Sequence, residues 1–277
     1  MRVALIQLNA GEDKEKNIDK AVTFVRRAIR ARAKWILLPE VFSYRGPIDR
    51  RILAEKVAEP VPGESIIPLL QLAREHRVFI LAGSIYEKIK GSARCFNTSV
   101  LINETGRLSA RYRKRHLFKA ILRDKEIQES KNFLAGKRLA TGRVSDFKVG
   151  MTVCYDLRFP GLFVEYARRG CDVLTVPASF TFQTGEAHWE VLLRARAIEN
   201  LSYILAPNQC GTTPNGVRTY GNSMVIDPWG RILARAATDG EEIIYAELQK
   251  ETLKTARSAL PAVRRQQQIF QRDIYLE

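Results

Sequence analysis

Histidine and cysteine are scarce. The 277 residues include 3 histidines (His76, His116 and His188) and 4 cysteines (Cys95, Cys154, Cys171 and Cys210). No His, Cys and Asp residues recur at ligand spacing, so neither a metal nor another cofactor is expected. The cysteines lack the tight spacing of a disulfide framework, which in a chain of this length points to a reducing compartment and a cytoplasmic protein. Long hydrophobic runs are missing too. No stretch approaches the roughly 20 apolar residues that cross a bilayer, and Arg2 and Gln7 interrupt the opening residues, so neither a membrane span nor an export leader is expected. Without a leader, the sequons Asn97-Thr98-Ser99 and Asn103-Glu104-Thr105 carry no weight. Linkers, repeats and low-complexity tracts are lacking, and one compact domain over residues 1–277 is expected. Acidic residues are the last deficit: 30 against 45 basic ones leave a net charge of +15. That excess raises a nucleic acid or an anionic small molecule as partner. It is spread along the chain and carries no zinc-finger, RRM or helix-turn-helix pattern, so a solvated surface accounts for most of it and no nucleic-acid partner is expected.

Hydrophobic residues make up 45% of the chain, enough for a sizeable core. Residues 3–7 read as a strand, and Ile18, Val22, Val25 and Ile29 then recur on one stripe of an amphipathic helix. A buried strand at 35–38, a helix at 65–76 and a strand at 78–82 closed by Gly83 continue the βα rhythm. The turn 103–106 joins 96–102 to 108–112 as a β-hairpin. Residues 114–140 are polar and weakly periodic, and read as a long structured loop. Strands at 149–153, 173–176 and 203–206 alternate with helices near 163–169 and 186–199. Hairpins at 223–226, 232–234 and 242–246 close the pattern. Two halves of similar rhythm predict an α/β fold of two packed sheets with helices outside. The segment 258–277, with Ile269, Phe270, Ile274, Tyr275 and Leu276 among charges, is expected to dock on the body or on a second subunit.

Ligands in α/β sheets collect beyond the carboxyl ends of strands. There the chain places unlike groups: Glu40 after 35–39, Lys114 after 108–113 and Cys154 after 149–153. Singly they are ordinary, a packed thiol and two charges. Together they are groups that perturb one another's protonation. A thiol attacks a carbonyl or nitrile carbon as thiolate and needs a base, which Glu40 can be, while an ammonium such as Lys114 can hold the oxyanion that follows. A papain-like Cys-His pair competes, but none of the three histidines has an evident place beside Cys154.

Leu-Leu-Pro-Glu at 37–40, Tyr-Arg-Lys-Arg-His-Leu-Phe at 112–118 and Cys-Tyr-Asp-Leu-Arg-Phe-Pro at 154–160 resemble the three signatures of the nitrilase superfamily of carbon–nitrogen hydrolases. The segment 187–200 and Asp-Pro-Trp-Gly at 227–230 resemble its Nit branch, amidases of deaminated glutathione or of ω-amides of keto acids. The resemblance spans nearly the whole chain. It implies a four-layer α-β-β-α sandwich with two mixed sheets, dimerised through helices, with Glu40 as general base, Lys114 as oxyanion stabiliser and Cys154 as nucleophile. It further implies that Glu129 orients Lys114 and that Ser179, Phe180, Thr181 and Thr184 line the substrate pocket. The backbone N–H of Tyr155 is the expected second oxyanion donor. Arg158 is a candidate partner for a substrate carboxylate, or else forms an ion pair with Asp156 or Glu165. Gly161 and Asn222 depart from the family pattern, which often has glutamate and histidine there. The expected function is therefore a cofactor-free thiol amidohydrolase cleaving a small carboxamide through a thioester. Carbamoylase, nitrilase and, from a different class, a basic nucleic-acid binder are the alternatives.

Overall fold

Helix α1 (Lys14–Arg30) shows how local chemistry sets the first βα unit. It follows strand β1 (Arg2–Gln7), and the Asp13 side chain accepts from Lys16 N at 3.1 Å to cap its start. The computed structural model describes residues 1–122, 125–213 and 216–262. Strand β2 (Trp35–Leu37) comes next, then a short helix α2 (Arg50–Ile52) running into a π turn, α3 (Ile67–His76), and strands β3 (Phe79–Glu87), β4 (Phe96–Ile102) and β5 (Leu108–Arg113). A separate hairpin, β6 (Lys119–Leu122) and β7 (Lys125–Gln128), precedes β8 (Thr141–Val144) and β9 (Phe147–Met151). The second half holds α4 (Pro160–Arg168), β10 (Val173–Thr175), α5 (Phe182–Asn200), β11 (Tyr203–Ala206), β12 (Met224–Ile226), β13 (Ile232–Arg235), β14 (Glu242–Glu247) and α6 (Lys250–Ala259).

Two six-stranded mixed sheets result, in the orders β14-β1-β2-β3-β4-β5 and β13-β12-β11-β10-β9-β8. Each has a parallel trio at its centre, with Leu5 beside Leu37 and Leu37 beside Leu81 in one, and Val149 beside Val173 and Val173 beside Tyr203 in the other. Antiparallel strands flank both trios. Alternation along β1 separates the layers. Val3 and Leu5 pack with Val149, Met151 and Val173 between the sheets, whereas Ala4 and Ile6 pack beneath Phe24 and Val25 of α1 and Leu69 and Leu72 of α3. Helices α4 and α5 lie against the second sheet through Phe163, Tyr166, Trp189 and Leu193. The order helix, sheet, sheet, helix is the four-layer sandwich.

The structure amends several expectations. The stripe on α1 is centred one position early: Asn17, Ala21, Phe24, Val25 and Ala28 are buried, while Ile18, Val22 and Ile29 sit on the flank. Small Ala21 and Ala28 bring the helix close to the sheet, and Asn17 is buried because its amide donates to Gly11 O at 2.8 Å and Ser43 O at 3.0 Å. Gly83 does not end a strand; β3 runs through it, with a register shift between Ala82 and Ile85. Residues 114–140 are not a loop throughout, since they contain the β6–β7 hairpin and a 3-10 turn at Glu129–Lys131. Strand β8 and helix α6 had no reading in the sequence. Helix α6 buries Leu253 and Ala256 alone in a charged segment, too sparse a stripe to register. Of the segment 258–277, Ser258 and Ala259 complete α6, and the proposed docking of its apolar residues falls on 263–277, outside the described residues.

Candidate active site

Glu40 follows β2, Lys114 follows β5 and Cys154 follows β9, so the first sheet supplies the carboxylate and the ammonium and the second sheet the thiol. Two glycines make this fit possible. A Cβ on Gly83 would lie 1.8 Å from the carbonyl oxygen of Pro39, and one on Gly136 would lie 2.1 Å from that of Arg113. These carbonyls immediately precede Glu40 and Lys114, so only a residue without a side chain lets the neighbouring strand and loop press against them. Val41 and Cys154 both adopt φ of 49°, a left-handed conformation that is strained for residues with a Cβ and that turns the chain sharply at the site.

Lys114 is 1% exposed, and its Nζ donates to Glu40 Oε1 at 3.0 Å and to Glu129 Oε1 at 3.0 Å. Glu40 is also held by Asn97 Nδ2 at 2.8 Å and by the backbone N–H of Ser179 at 2.8 Å. Glu129 accepts from Phe118 N at 2.7 Å. Burial opposes the Lys114 charge, but Glu129 and Glu40 overcome it and raise the ammonium well above its ordinary pKa. Burial raises Glu129, against the pull of Lys114. The Cys154 thiol, 8% exposed, is pushed well up by burial and by the Glu40 charge, while Lys114 and the Ser179 N–H act in the opposite sense. The resting site thus holds a protonated lysine and a neutral thiol beside Glu40, which is a nucleophile awaiting a base.

Asp156 fixes the cysteine turn to the lysine strand. Fully buried, it accepts from Tyr112 OH at 2.8 Å, His116 N at 3.0 Å and Val153 N at 2.9 Å, and lies 2.7 Å from His116 Nδ1. His116 in turn stacks on Phe159 with centroids 3.6 Å apart. His116, one of the three histidines that a Cys-His pair would have to draw on, is therefore turned toward a structural carboxylate. Asp156 is fully engaged and Glu165 lies near Arg168 and Arg169, so Arg158 has neither of the ion pairs weighed for it. Its guanidinium lies over the Tyr155 and Phe180 rings at 5.9 and 5.2 Å and 3.4 Å from His188 Nδ1.

Glu40, Lys114, Glu129 and Cys154 border one cavity of about 420 Å³, with Tyr155, Arg158, Ser179, Phe180, Thr181 and Thr184 in its wall. That volume suits a small ligand. Every site residue picked from the sequence is thus gathered in one place. Residues the sequence did not flag share the wall: Asn97, which grips Glu40, and Arg45, Tyr86 and Phe133. Asn97 opens the polar run Asn-Thr-Ser of β4, and its carbonyl accepts from Lys114 N at 2.8 Å; in sequence that run has only the form of a sequon. Arg45 lies in the irregular stretch after Glu40 and Tyr86 within β3 past its register shift, where sequence periodicity gives no direction. Among the described residues no cluster of His, Cys, Asp and Glu could hold a metal, and no helix is long and apolar enough to cross a membrane.

Residues 2–258 match the carbon–nitrogen hydrolase family, and the chain belongs to it. It is 37% identical over 264 residues to Omega-amidase NIT2 of Homo sapiens, covering 95% of this chain and 94% of that protein. It is 35% identical over 266 residues to Deaminated glutathione amidase of Bos taurus, covering 94% and 80%. The crystal structure of Saccharomyces cerevisiae Nit3, a member of branch 10 of the nitrilase superfamily, superposes with a TM-score of 0.84 at 34% identity over 94% of both chains. The protein is accordingly an enzyme of the nitrilase-type fold, a carbon–nitrogen hydrolase.

Proposed function

We propose that the protein is a thiol amidohydrolase that cleaves a small carboxamide, an ω-amide of a dicarboxylic or keto acid or a deaminated-glutathione-like amide, into an acid and ammonia or an amine. One observation carries the reading: a buried lysine is shared by two glutamates at the edge of a cavity that Cys154 also lines. Glu40 takes the Cys154 proton as sulfur adds to the amide carbon. Lys114 and the backbone N–H of Tyr155, a first-turn donor free of intrahelical bonding, hold the oxyanion, each worth about 3 kcal/mol in the transition state. The C–N bond breaks as Glu40 returns the proton to the leaving nitrogen, which leaves a thioester on Cys154. Water, deprotonated by Glu40, attacks the thioester, and the carboxylic acid and free thiol are released. Glu129 keeps Lys114 charged and aimed. No step calls for a metal or cofactor.

Arg158, half-buried at the wall without an acidic partner among the described residues, draws anionic amides to the cavity. The four cysteines are all free thiols, which supports a reducing, cytoplasmic setting. Val191 and Ile198 of α5, the latter against Gly230, and Trp229 and Leu233 are all exposed, which supports a homodimer. The test is an ammonia-release screen of ω-amides of dicarboxylic and keto acids against aliphatic amides, carbamoyl compounds and nitriles. Preference for an anionic amide, lost in Cys154→Ala, is the expected result; preference for a nitrile or carbamoyl compound overturns it.

A further inference from the structure

Two side chains in the cavity wall hold hydrogen-bonding capacity that neither the fold nor the chemistry above uses. Arg45 is 4% exposed, and among the described residues no carboxylate lies within ion-pair distance of it. Its Nη1 donates to Gln209 Oε1 at 3.1 Å and Cys210 O at 3.2 Å, with Asn9 Oδ1 at 3.4 Å, and its Nη2 donates to Thr219 Oγ1 at 3.1 Å. All four acceptors are neutral. Nε is buried without an acceptor. Nη2 has a second N–H beyond the one given to Thr219. Nε is sealed from the cavity, so the N–H of Nη2 not given to Thr219 is the one Arg45 keeps for an anion in the cavity it lines.

Tyr86 is also 4% exposed and lines the same cavity, and its hydroxyl has no hydrogen-bond partner among the described residues. Its ring is stacked on Phe133 at 5.3 Å, which fixes where the hydroxyl points. Burial raises the phenol well above its ordinary pKa, so it is a neutral donor. Burial also lowers Arg45 to about 10, which leaves it charged at neutral pH. Gln209 links Arg45 to Glu40, accepting from Arg45 Nη1 and donating to Glu40 O at 2.8 Å, and Tyr86 packs with Val41 and Tyr44 of the same turn, so both side chains lie on the Glu40 side. Three cations, Arg45, Lys114 and Arg158, face two carboxylates in the described wall. Lys114 is taken by both of them. A buried cation with only neutral partners is costly to keep and is balanced by an incoming anion.

We propose that Arg45 and Tyr86 form a carboxylate subsite, so that the substrate is an amide whose carboxylate is read on the Glu40 side of the cavity. As a statement about substrate this rests on the amidase reading; as a statement about binding it stands separately. Arg158 is the competing site, already engaged by two rings and His188.

The test is calorimetric binding of glutarate, a dicarboxylate without a reactive amide, to the full-length protein and to Tyr86→Phe, Arg45→Gln and Arg158→Gln, alongside KM for glutaramate and for propionamide. Tyr86→Phe should weaken glutarate about fivefold and Arg45→Gln at least about tenfold. KM for glutaramate should rise in parallel and KM for propionamide should stay unchanged. Tyr86→Phe removes one oxygen and keeps the stacked ring, so it tests the subsite even if Arg45→Gln fails to fold. Glutarate binding unchanged by Tyr86→Phe and lost in Arg158→Gln overturns the subsite and leaves the amidase reading intact. Glutarate binding that responds as expected, in a protein that releases ammonia from no amide, sustains the subsite and overturns the amidase reading.

Discussion

Lys114 Nζ lies 3.0 Å from Glu40 Oε1 although 74 positions separate the two residues in the chain. The pair is buried, and Glu129 shares the same ammonium. Removing one member of a buried charge pair leaves the other unpaired at a cost of about 3 kcal/mol or more.

Lys114→Met should therefore fail twice. Turnover should fall at least about 10³-fold, because the oxyanion loses its charged donor. Stability should fall by about 3 kcal/mol, because Glu40 and Glu129 then face one another without a cation. Steady-state kinetics and urea unfolding measure the two losses on the same preparation.

Glu40→Gln separates thiol acidity from catalysis. The Glu40 charge raises the Cys154 thiol and Lys114 lowers it. Without the Glu40 charge the lysine acts unopposed, so the midpoint of iodoacetamide alkylation against pH should move down. Amide turnover should nevertheless be lost, since the base is gone. A midpoint that moves up contradicts this charge assignment.

The Asp156 anchor joins the cysteine turn to β5 through Tyr112 OH at 2.8 Å. Tyr112→Phe removes one donor to a buried carboxylate and should destabilise the protein by about 2 kcal/mol, measured by denaturant unfolding. His116→Ala should add a comparable loss and leave the pH dependence of turnover in place, because this ring is not the catalytic base.

Far from the site, Asp172 accepts from Lys250 at 2.7 Å and Arg257 at 2.9 Å and ties α6 to the body. Burial alone would raise this carboxyl, but Lys250, Arg257 and the Lys148 N–H hold it below its ordinary 3.8. Its contribution to stability is therefore full above that value and is lost as pH falls through the lower folded pKa. The stability gap between wild type and Asp172→Asn should be constant near neutrality and should close only below about pH 4.

The sequence carried the chemistry further than the scaffold. Glu40, Lys114 and Cys154 were legible because each ends a strand, and strand ends follow from period and composition. The hairpin β6–β7 was hidden, since its strands, Lys-Ala-Ile-Leu and Lys-Glu-Ile-Gln, are only four residues long and neither keeps the alternation that marks a strand with one buried face. Gly83 read as punctuation because a glycine needed for a tertiary contact looks the same in sequence as one needed for a turn. Asn97, Arg45 and Tyr86 gained meaning only from what the fold places opposite them.

Gly83 and Gly136 convert that last point into a prediction. Alanine at either position forces a Cβ within about 2 Å of a carbonyl oxygen that precedes Glu40 or Lys114. Each substitution should cost about 3 kcal/mol or more and displace the catalytic side chain. Unfolding midpoints within error of wild type would show that the packing relaxes at no cost.

The covalent step is tested most directly by acid-quenching the enzyme during turnover of glutaramate and measuring its mass. The predicted result is an acyl adduct equal to the amide less ammonia, carried on the Cys154 peptide and absent in Cys154→Ala. Turnover with no such adduct under rapid quench, or an adduct on any other residue, contradicts nucleophilic catalysis by Cys154.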